Sequence, residues 1–311
     1  MRVAVLGAGP AGSAMAAIMS ARGHAVSLWS PRGGGTRHLG SEIATRGALE
    51  GRWKIHVAAD LWRAAELSEL ILIALPEPAL LPILQRLAGA LIGAPDILFA
   101  PAGGLAPALL HQLMAARGIA PRIGALPAPP ILARRDADGV IAITALRPRL
   151  WLGALPMPAA PGLAVLAEAL FGLPVELLAD VLAAGLAEPG ALIEAARLFA
   201  PAGQAHGLGR LLLALAAERD AVCLALGRGG LPGIATLVTE QGGLADPPRP
   251  LIETGLGLTF LDAMARASHT PAPLLTGALN LLEAAMGERF GPHPVLAALD
   301  QPTLAGIMSP H

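Results

Sequence analysis

Gly7, Gly9 and Gly12 carry the clearest chemical signal in the chain. Their G-x-G-x-x-G spacing follows an apolar run, Arg2 to Leu6, that reads as a short buried strand. It precedes a second apolar run at helical spacing, Ser13 to Ala21. In that setting Gly7 makes a tight turn, Gly9 lets a pyrophosphate approach the backbone, and Gly12 lets helix and strand pack closely. Around Pro10 and Ala11, the helix start offers free N–H groups and a partial positive charge to the same phosphates. A further strand, Ala25–Trp29, completes the strand–turn–helix–strand unit that gives the spacing its specificity. The competing reading is a signal peptide, since Arg2 precedes an Ala-rich stretch. Pro10 and the glycines interrupt the continuous apolar segment such a helix needs.

The residues after the second strand bear on the cofactor. An NAD site usually places a carboxylate there for the adenosine ribose hydroxyls. Here the stretch is Trp29-Ser30-Pro31-Arg32, with no carboxylate before Glu42. A hydroxyl and a guanidinium suit a 2′-phosphate, so NADP is favoured over NAD. The plainer alternative makes Arg32 a solvated turn residue and Ser30 a cap. Leu75-Pro76, ending a fourth strand, should lie against the dinucleotide, and Pro101-Ala102-Gly103-Gly104 should line its nicotinamide side.

These residues need a scaffold, and the first half of the chain supplies strand and helix signals in alternation. Strands are expected at Trp53–Val57, Leu70–Leu75 and Ile97–Phe99, with helices at Leu61–Leu67, Ala79–Leu91 and Ala106–Arg117. Ile123–Leu126, Val140–Thr144 and Leu150–Leu155 read as added strands, and Leu163–Phe171 as a helix. Such alternation predicts a doubly wound parallel sheet covered on both faces. From about Ala179 only helical patterns remain: Gly190–Phe199, Leu208–Leu226, Leu258–Ala267 and Pro273–Met286, with Asp246–Pro250 as a Pro-rich connection. The expected α/β fold is an N-terminal Rossmann-type sheet, residues 1–178, followed by an all-helical second domain, residues 179–311.

Bulk composition narrows the partners. A net charge of −1 leaves no electrostatic footprint for nucleic acid or anionic lipid. The apolar fraction is 54%, but the longest uncharged runs, Ile97–Ala116 and Leu150–Ala167, contain several Pro and Gly residues that a lipid-exposed helix tolerates poorly. Cys223 is the sole cysteine and lies in a helical pattern, so it reads as a small buried hydrophobe in a reducing, cytoplasmic setting. The eight histidines show no metal-ligand spacing, and no metal site is expected.

A dinucleotide domain followed by helices is shared by ketopantoate reductases, β-hydroxyacid dehydrogenases and glycerol-3-phosphate dehydrogenases. Resemblance to any of them implies a catalytic Lys in the helical part, and no Lys follows Lys54. The chain instead resembles the octopine/nopaline (opine) dehydrogenases along most of its length. The segments that carry the resemblance are Gly47–Gly51, Ile71–Pro76 ("ILIALP"), the Pro-rich Leu126–Leu132 with Ala133-Arg134, Gly190–Ala195, Glu218-Arg219 through Leu226-Gly227, Thr270-Pro271 and Leu281–Phe290. It also departs from the family. The position of the family's catalytic His falls near Ala187, its helix Asn at Glu194, and its Glu before the Pro-rich segment at Ala125. The carboxylate that orients that His is Glu253 or is lost.

The resemblance implies an oxidoreductase, with NADP the cofactor that Ser30 and Arg32 favour, that reduces an imine formed from an amino acid or amine and a 2-keto acid, or a preformed and already protonated imine. A homodimer is a further expectation. A proton donor is needed beside the accepting carbon and nitrogen. Glu188, His206 and Glu253 are the candidates that the resemblance brings close. Glu188 serves equally well as a first-turn carboxylate stabilising a helix dipole, and His206, in the Pro201–Gly209 stretch, as a solvated loop residue. Arg134 and Arg197 are candidate clamps for a substrate carboxylate, with plain surface residues as the alternative. His269 reads as the start of a helix and His293 as loop. A non-catalytic dinucleotide-binding sensor or scaffold is the rival reading.

Overall fold

The computed structural model describes residues 1–200, 205–240 and 249–309. The chain opens with β1 (Arg2–Leu6), α1 (Pro10–Ala21), β2 (Ala25–Trp29), β3 (Glu42–Gly47), β4 (Gly51–Lys54) and β5 (His56–Val57). Next come α2 (Leu61–Ala65), β6 (Leu70–Ile73), α3 (Glu77–Ala90), β7 (Asp96–Phe99), α4 (Ala106–Ala115) and β8 (Ile123–Ala125). The strand-bearing part closes with β9 (Ile131–Arg135), β10 (Ile141–Leu146), β11 (Leu150–Leu155), α5 (Ala160–Phe171) and β12 (Val175–Leu177). Only helices follow: α6 (Val181–Leu186), α7 (Gly190–Phe199), α8 (Ala205–Ala225), α9 (Ile234–Glu240), α10 (Leu251–Ala267), α11 (Pro273–Met286), α12 (Pro294–Ala298) and α13 (Gln301–Met308).

Eight strands form one sheet in the order β12-β11-β8-β7-β6-β1-β2-β5. Its pairings are parallel except β8 with β11. The central strands β1 and β6 are buried along nearly their whole length, as a sheet covered on both faces requires. This is the Rossmann-type doubly wound sheet with a helical region after it.

A separate four-stranded sheet, β4-β3-β10-β9, was not expected. It explains why Trp53–Val57 is not one strand. Trp53 pairs with Ile43 in the small sheet, and His56 pairs with Ser27 in the large one. The chain changes sheets at buried Ile55. Alternation of apolar and polar residues is the same in either sheet, so the pattern cannot announce the crossing.

Among the helices, α10 begins seven residues before the expected Leu258. Gly255 and Gly257 weaken its first turns by propensity, by about 1 kcal/mol each. Packing recovers the loss: a Cβ at Gly255 would lie 2.5 Å from the Phe290 ring, and one at Gly257 2.7 Å from Ala191 Cβ. His269 does not start a helix. It follows the C-cap of α10 with a left-handed φ of 53°. Cys223 is buried, and burial pushes its thiol up to about 12, as expected of a packing residue.

Candidate active site

Strand order reverses between β6 and β1, and in open α/β sheets the crevice beyond the strand ends at that point takes the ligand. The three glycines stand there with different neighbours. Gly7, at φ 122°, packs so closely that a Cβ would lie 2.1 Å from the Ala74 carbonyl oxygen. A Cβ on Gly12 would lie 2.0 Å from the Gly7 oxygen. At Gly9 a Cβ meets nothing within 4 Å. Gly7 and Gly12 are therefore required by the protein's own packing. Gly9 leaves open space, which is what a pyrophosphate lying on the turn needs.

Two connected clefts line the crevice. One, of about 710 Å³, includes Ser30, Pro31, Arg32, Pro82, Ile83 and Ile252. The other, of about 260 Å³, includes Pro76, Glu77, Pro101, Glu188, Arg249 and Glu253. Gly9, Leu75, Pro76 and Glu253 border both, so the two form one continuous groove. Of the expected cofactor residues, Gly7, Gly9, Ser30, Arg32, Leu75 and Pro76 border the larger cleft. Pro10, Ala11 and Gly12 border the smaller one.

The smaller cleft is where ionisable groups gather. Arg249 Nη1 donates to Glu188 Oε1 at 2.7 Å. A Cβ at Gly190 would lie 2.1 Å from the Arg249 guanidinium carbon, so the bare first residue of α7 lets that side chain lie against it. Burial pushes the Glu188 carboxyl above its usual range, against the pull of Arg249, and neighbouring Glu77 and Glu253 push it further. Burial likewise raises Glu253. The Arg249 guanidinium is lowered by burial but held above its ordinary value by Glu188, Glu253 and Glu77. Glu77 in turn meets His293, whose Nε2 lies 2.7 Å from its Oε1. His293 is 2% exposed, and its Nδ1 accepts from Leu296 N–H at 3.4 Å, which leaves Nε2 to donate to Glu77.

Three expected site residues lie elsewhere. His206 is exposed in the first turn of α8 and borders neither cleft; of its predicted loop, residues 201–204 fall outside the described residues. Arg134 is exposed on β9 and pairs with Asp136 at 3.1 Å, because strand alternation turns it away from the crevice. Arg197 pairs with Glu194 at 2.6 Å, one helical turn back on α7, and borders neither cleft. Ala187, where the family's His would fall, is wholly buried. The crevice also holds groups that sequence reasoning passed over. Arg249 belongs to the Asp246–Pro250 connection, of which residues 246–248 fall outside the described residues. Glu77 could have been found, as a carboxylate directly after the strand end at Leu75-Pro76. Nothing in Gly291-Pro292-His293-Pro294 marks His293 as a buried partner.

Residues 2–116 match the family model of the NAD-dependent glycerol-3-phosphate dehydrogenase N-terminus. A glycerol-3-phosphate dehydrogenase [NAD(P)+] of Nitrosomonas eutropha is 38% identical over 91 residues, 28% of this chain and 27% of that protein. The match thus spans about a quarter of that relative's length. Solved structures extend the likeness to the whole chain. Octopine dehydrogenase with NADH and L-arginine superposes with a TM-score of 0.73 at 14% identity, over 92% of this chain and 90% of that one. The fold is that of the opine dehydrogenases. Yersinopine dehydrogenase with NADP+ gives 0.70 at 16% identity, over 99% and 97%. Ketopantoate reductases share the opine dehydrogenase layout with lower scores. The architecture is that of an NAD(P)-dependent dehydrogenase. Among the described residues no helix is long and apolar enough to cross a membrane.

Proposed function

We propose that this chain is a NADP-dependent oxidoreductase of opine-dehydrogenase type, reducing an imine formed from an amino acid or amine and a 2-keto acid. The observation that carries the reading is the crevice itself. One wall is a glycine turn with open space at Gly9, and the opposite wall is the half-buried Glu188–Arg249–Glu253 cluster. The chain divides near Ala179 into a domain that holds the cofactor, 1–178, and one that presents the substrate, 179–311.

Residues of the turn would hold the pyrophosphate, and Ser30 and Arg32 the adenosine 2′-phosphate. When bound, the cofactor supplies a hydride to the imine carbon. The nitrogen then needs a proton, and a carboxyl retains one near neutrality only if its environment disfavours the charge. Burial disfavours the charge on both Glu188 and Glu253 and raises them, while Arg249 pulls the other way. Arg249 orients Glu188 through the 2.7 Å hydrogen bond. Pro76, Pro101 and Pro129 add apolar surface to the lining of the smaller cleft.

A second reading, a dinucleotide-binding sensor without catalysis, is favoured by the apolar, buried Ala187. The deciding experiment is NADPH oxidation measured across a matrix of amino acids and 2-keto acids. Turnover with at least one pair is expected. A protein that binds NADPH but is inert across the matrix is the sensor.

A further inference from the structure

Glu77 opens α3 and borders the smaller cleft. Its two carboxylate oxygens stand in different surroundings. Oε1 accepts from His293 Nε2 at 2.7 Å, while Oε2 has no partner among the described residues. Behind the pair the protein is closed. The His293 side chain is wholly buried, its ring lies 6.0 Å from that of Phe260 between centroids, and its Nδ1 caps α12. The only open space that Glu77 borders among the described clefts is the smaller one.

A neutral imidazole fixes a carboxylate without cancelling its charge. With Nδ1 accepting from Leu296 N–H, His293 donates from Nε2 as a neutral ring. Arg249, the only cation bordering the smaller cleft among the described residues, is bound to Glu188. No Lys or Arg pairs with Glu77 among the described residues. Glu188 and Glu253, by contrast, are driven by burial toward their uncharged forms. Glu77 is thus the carboxylate that presents an anchored, unpaired oxygen to the cleft. Such an oxygen is best satisfied by a cationic N–H donor. In the reaction proposed above, that donor is the amine partner, which arrives as an ammonium ion.

We infer that Glu77 Oε2 binds the ammonium of the amine partner, and that His293 is the positioning residue that aims it. The inference rests on the reductase reading and adds to it a substrate-binding group at the start of α3. It also gives the buried His293 a task, since α12 is the element that delivers this ring from 216 positions away.

The test is a calorimetric titration of the protein holding NADPH, with n-butylamine as its ammonium ion and with butyrate, an anion of similar size. Glu77→Gln keeps an acceptor for His293 but removes the charge. It should weaken butylammonium binding at least tenfold, while butyrate binds no more weakly and NADPH stays within about threefold of wild type. His293→Leu, which removes the donor, should weaken butylammonium at least fivefold. His293→Gln, whose amide nitrogen replaces Nε2, should return it to within about threefold. Equal loss in the two His293 variants would overturn the positioning role. Wild-type butylammonium affinity in Glu77→Gln would mean that the pair only braces α3 against α12, and would overturn the inference alone, whatever the substrate matrix shows. A tenfold loss of NADPH in that variant would assign Oε2 to the cofactor and overturn it too, as would a wild type that binds NADPH but not butylammonium. A wild type that binds neither would instead refute the crevice as the site, and this inference with it.

Discussion

The two walls of the crevice are built in different ways. The glycine wall is shaped by twelve consecutive residues, in which a Cβ on Gly12 strikes Gly7 five positions away, and by one distant neighbour, Ala74, against which Gly7 packs. The opposite wall is assembled across long stretches of chain. Glu188 and Arg249 are 61 positions apart, and Glu77 and His293 are 216 apart. Chemistry that depends on local backbone shape demands fixed residue types at fixed spacing. Chemistry that depends on side chains meeting across a groove demands only that each side chain arrive, and its residues look ordinary in the chain.

The largest test of this contrast lies within the glycine wall. Gly9→Val should abolish NADPH binding, raising Kd more than a hundredfold, while the melting temperature stays within a few degrees, because nothing occupies the space its side chain enters. Gly12→Val should instead lose the cooperative melt, since its Cβ is driven into backbone. A Gly9→Val variant with wild-type Kd would place the cofactor elsewhere.

For the opposite wall, at least one of Glu188→Gln and Glu253→Gln should lower turnover about a hundredfold with NADPH affinity unchanged. The pH profile sharpens this. A proton donor works while protonated, so wild-type turnover should be full below the raised carboxyl pKa and fall as pH climbs through it. The damaging variant should lose that limb. If both variants retain normal turnover, the proton comes from the substrate.

A smaller effect is expected at the adenosine end. Wild type should prefer NADPH over NADH by about tenfold, roughly 1.4 kcal/mol, and Arg32→Glu should erase the preference. Equal wild-type affinity in a titration of both cofactors would remove the 2′-phosphate assignment. The smallest effect belongs to His206→Ala. An exposed residue at the start of α8 that borders neither cleft should leave turnover within about twofold. A large loss there would show that the helical region closes further than the present geometry.

Much of the scaffold could be read from the chain. The bounds of β2, β11, α7 and α11 coincide with the expected ones, because each is an apolar run punctuated by Gly or Pro. The four-stranded sheet could not. Its strand β3 carries Glu42 and Arg46, and β9 follows a Pro-rich stretch, so neither has the apolar density of a core strand. Each owes its conformation to pairing with β10, a tertiary partner.

The same division runs through the site. From the amino-acid order alone came the glycine turn, the alternation that makes a doubly wound sheet, the absence of a carboxylate between Trp29 and Glu42, and Glu188 and Glu253 as candidate acids. All of these depend on local backbone shape, residue type at known spacing, or alignment to a resembling pattern. Tertiary structure alone decided that Arg134 faces solvent while Arg135 faces the turn, that His206 stands outside the groove, and that Arg249 holds Glu188. It also buried His293 behind Glu77. Those outcomes depend on which surfaces are pressed together and which charges burial leaves without water, and these are properties of the packed chain that no short window of sequence contains.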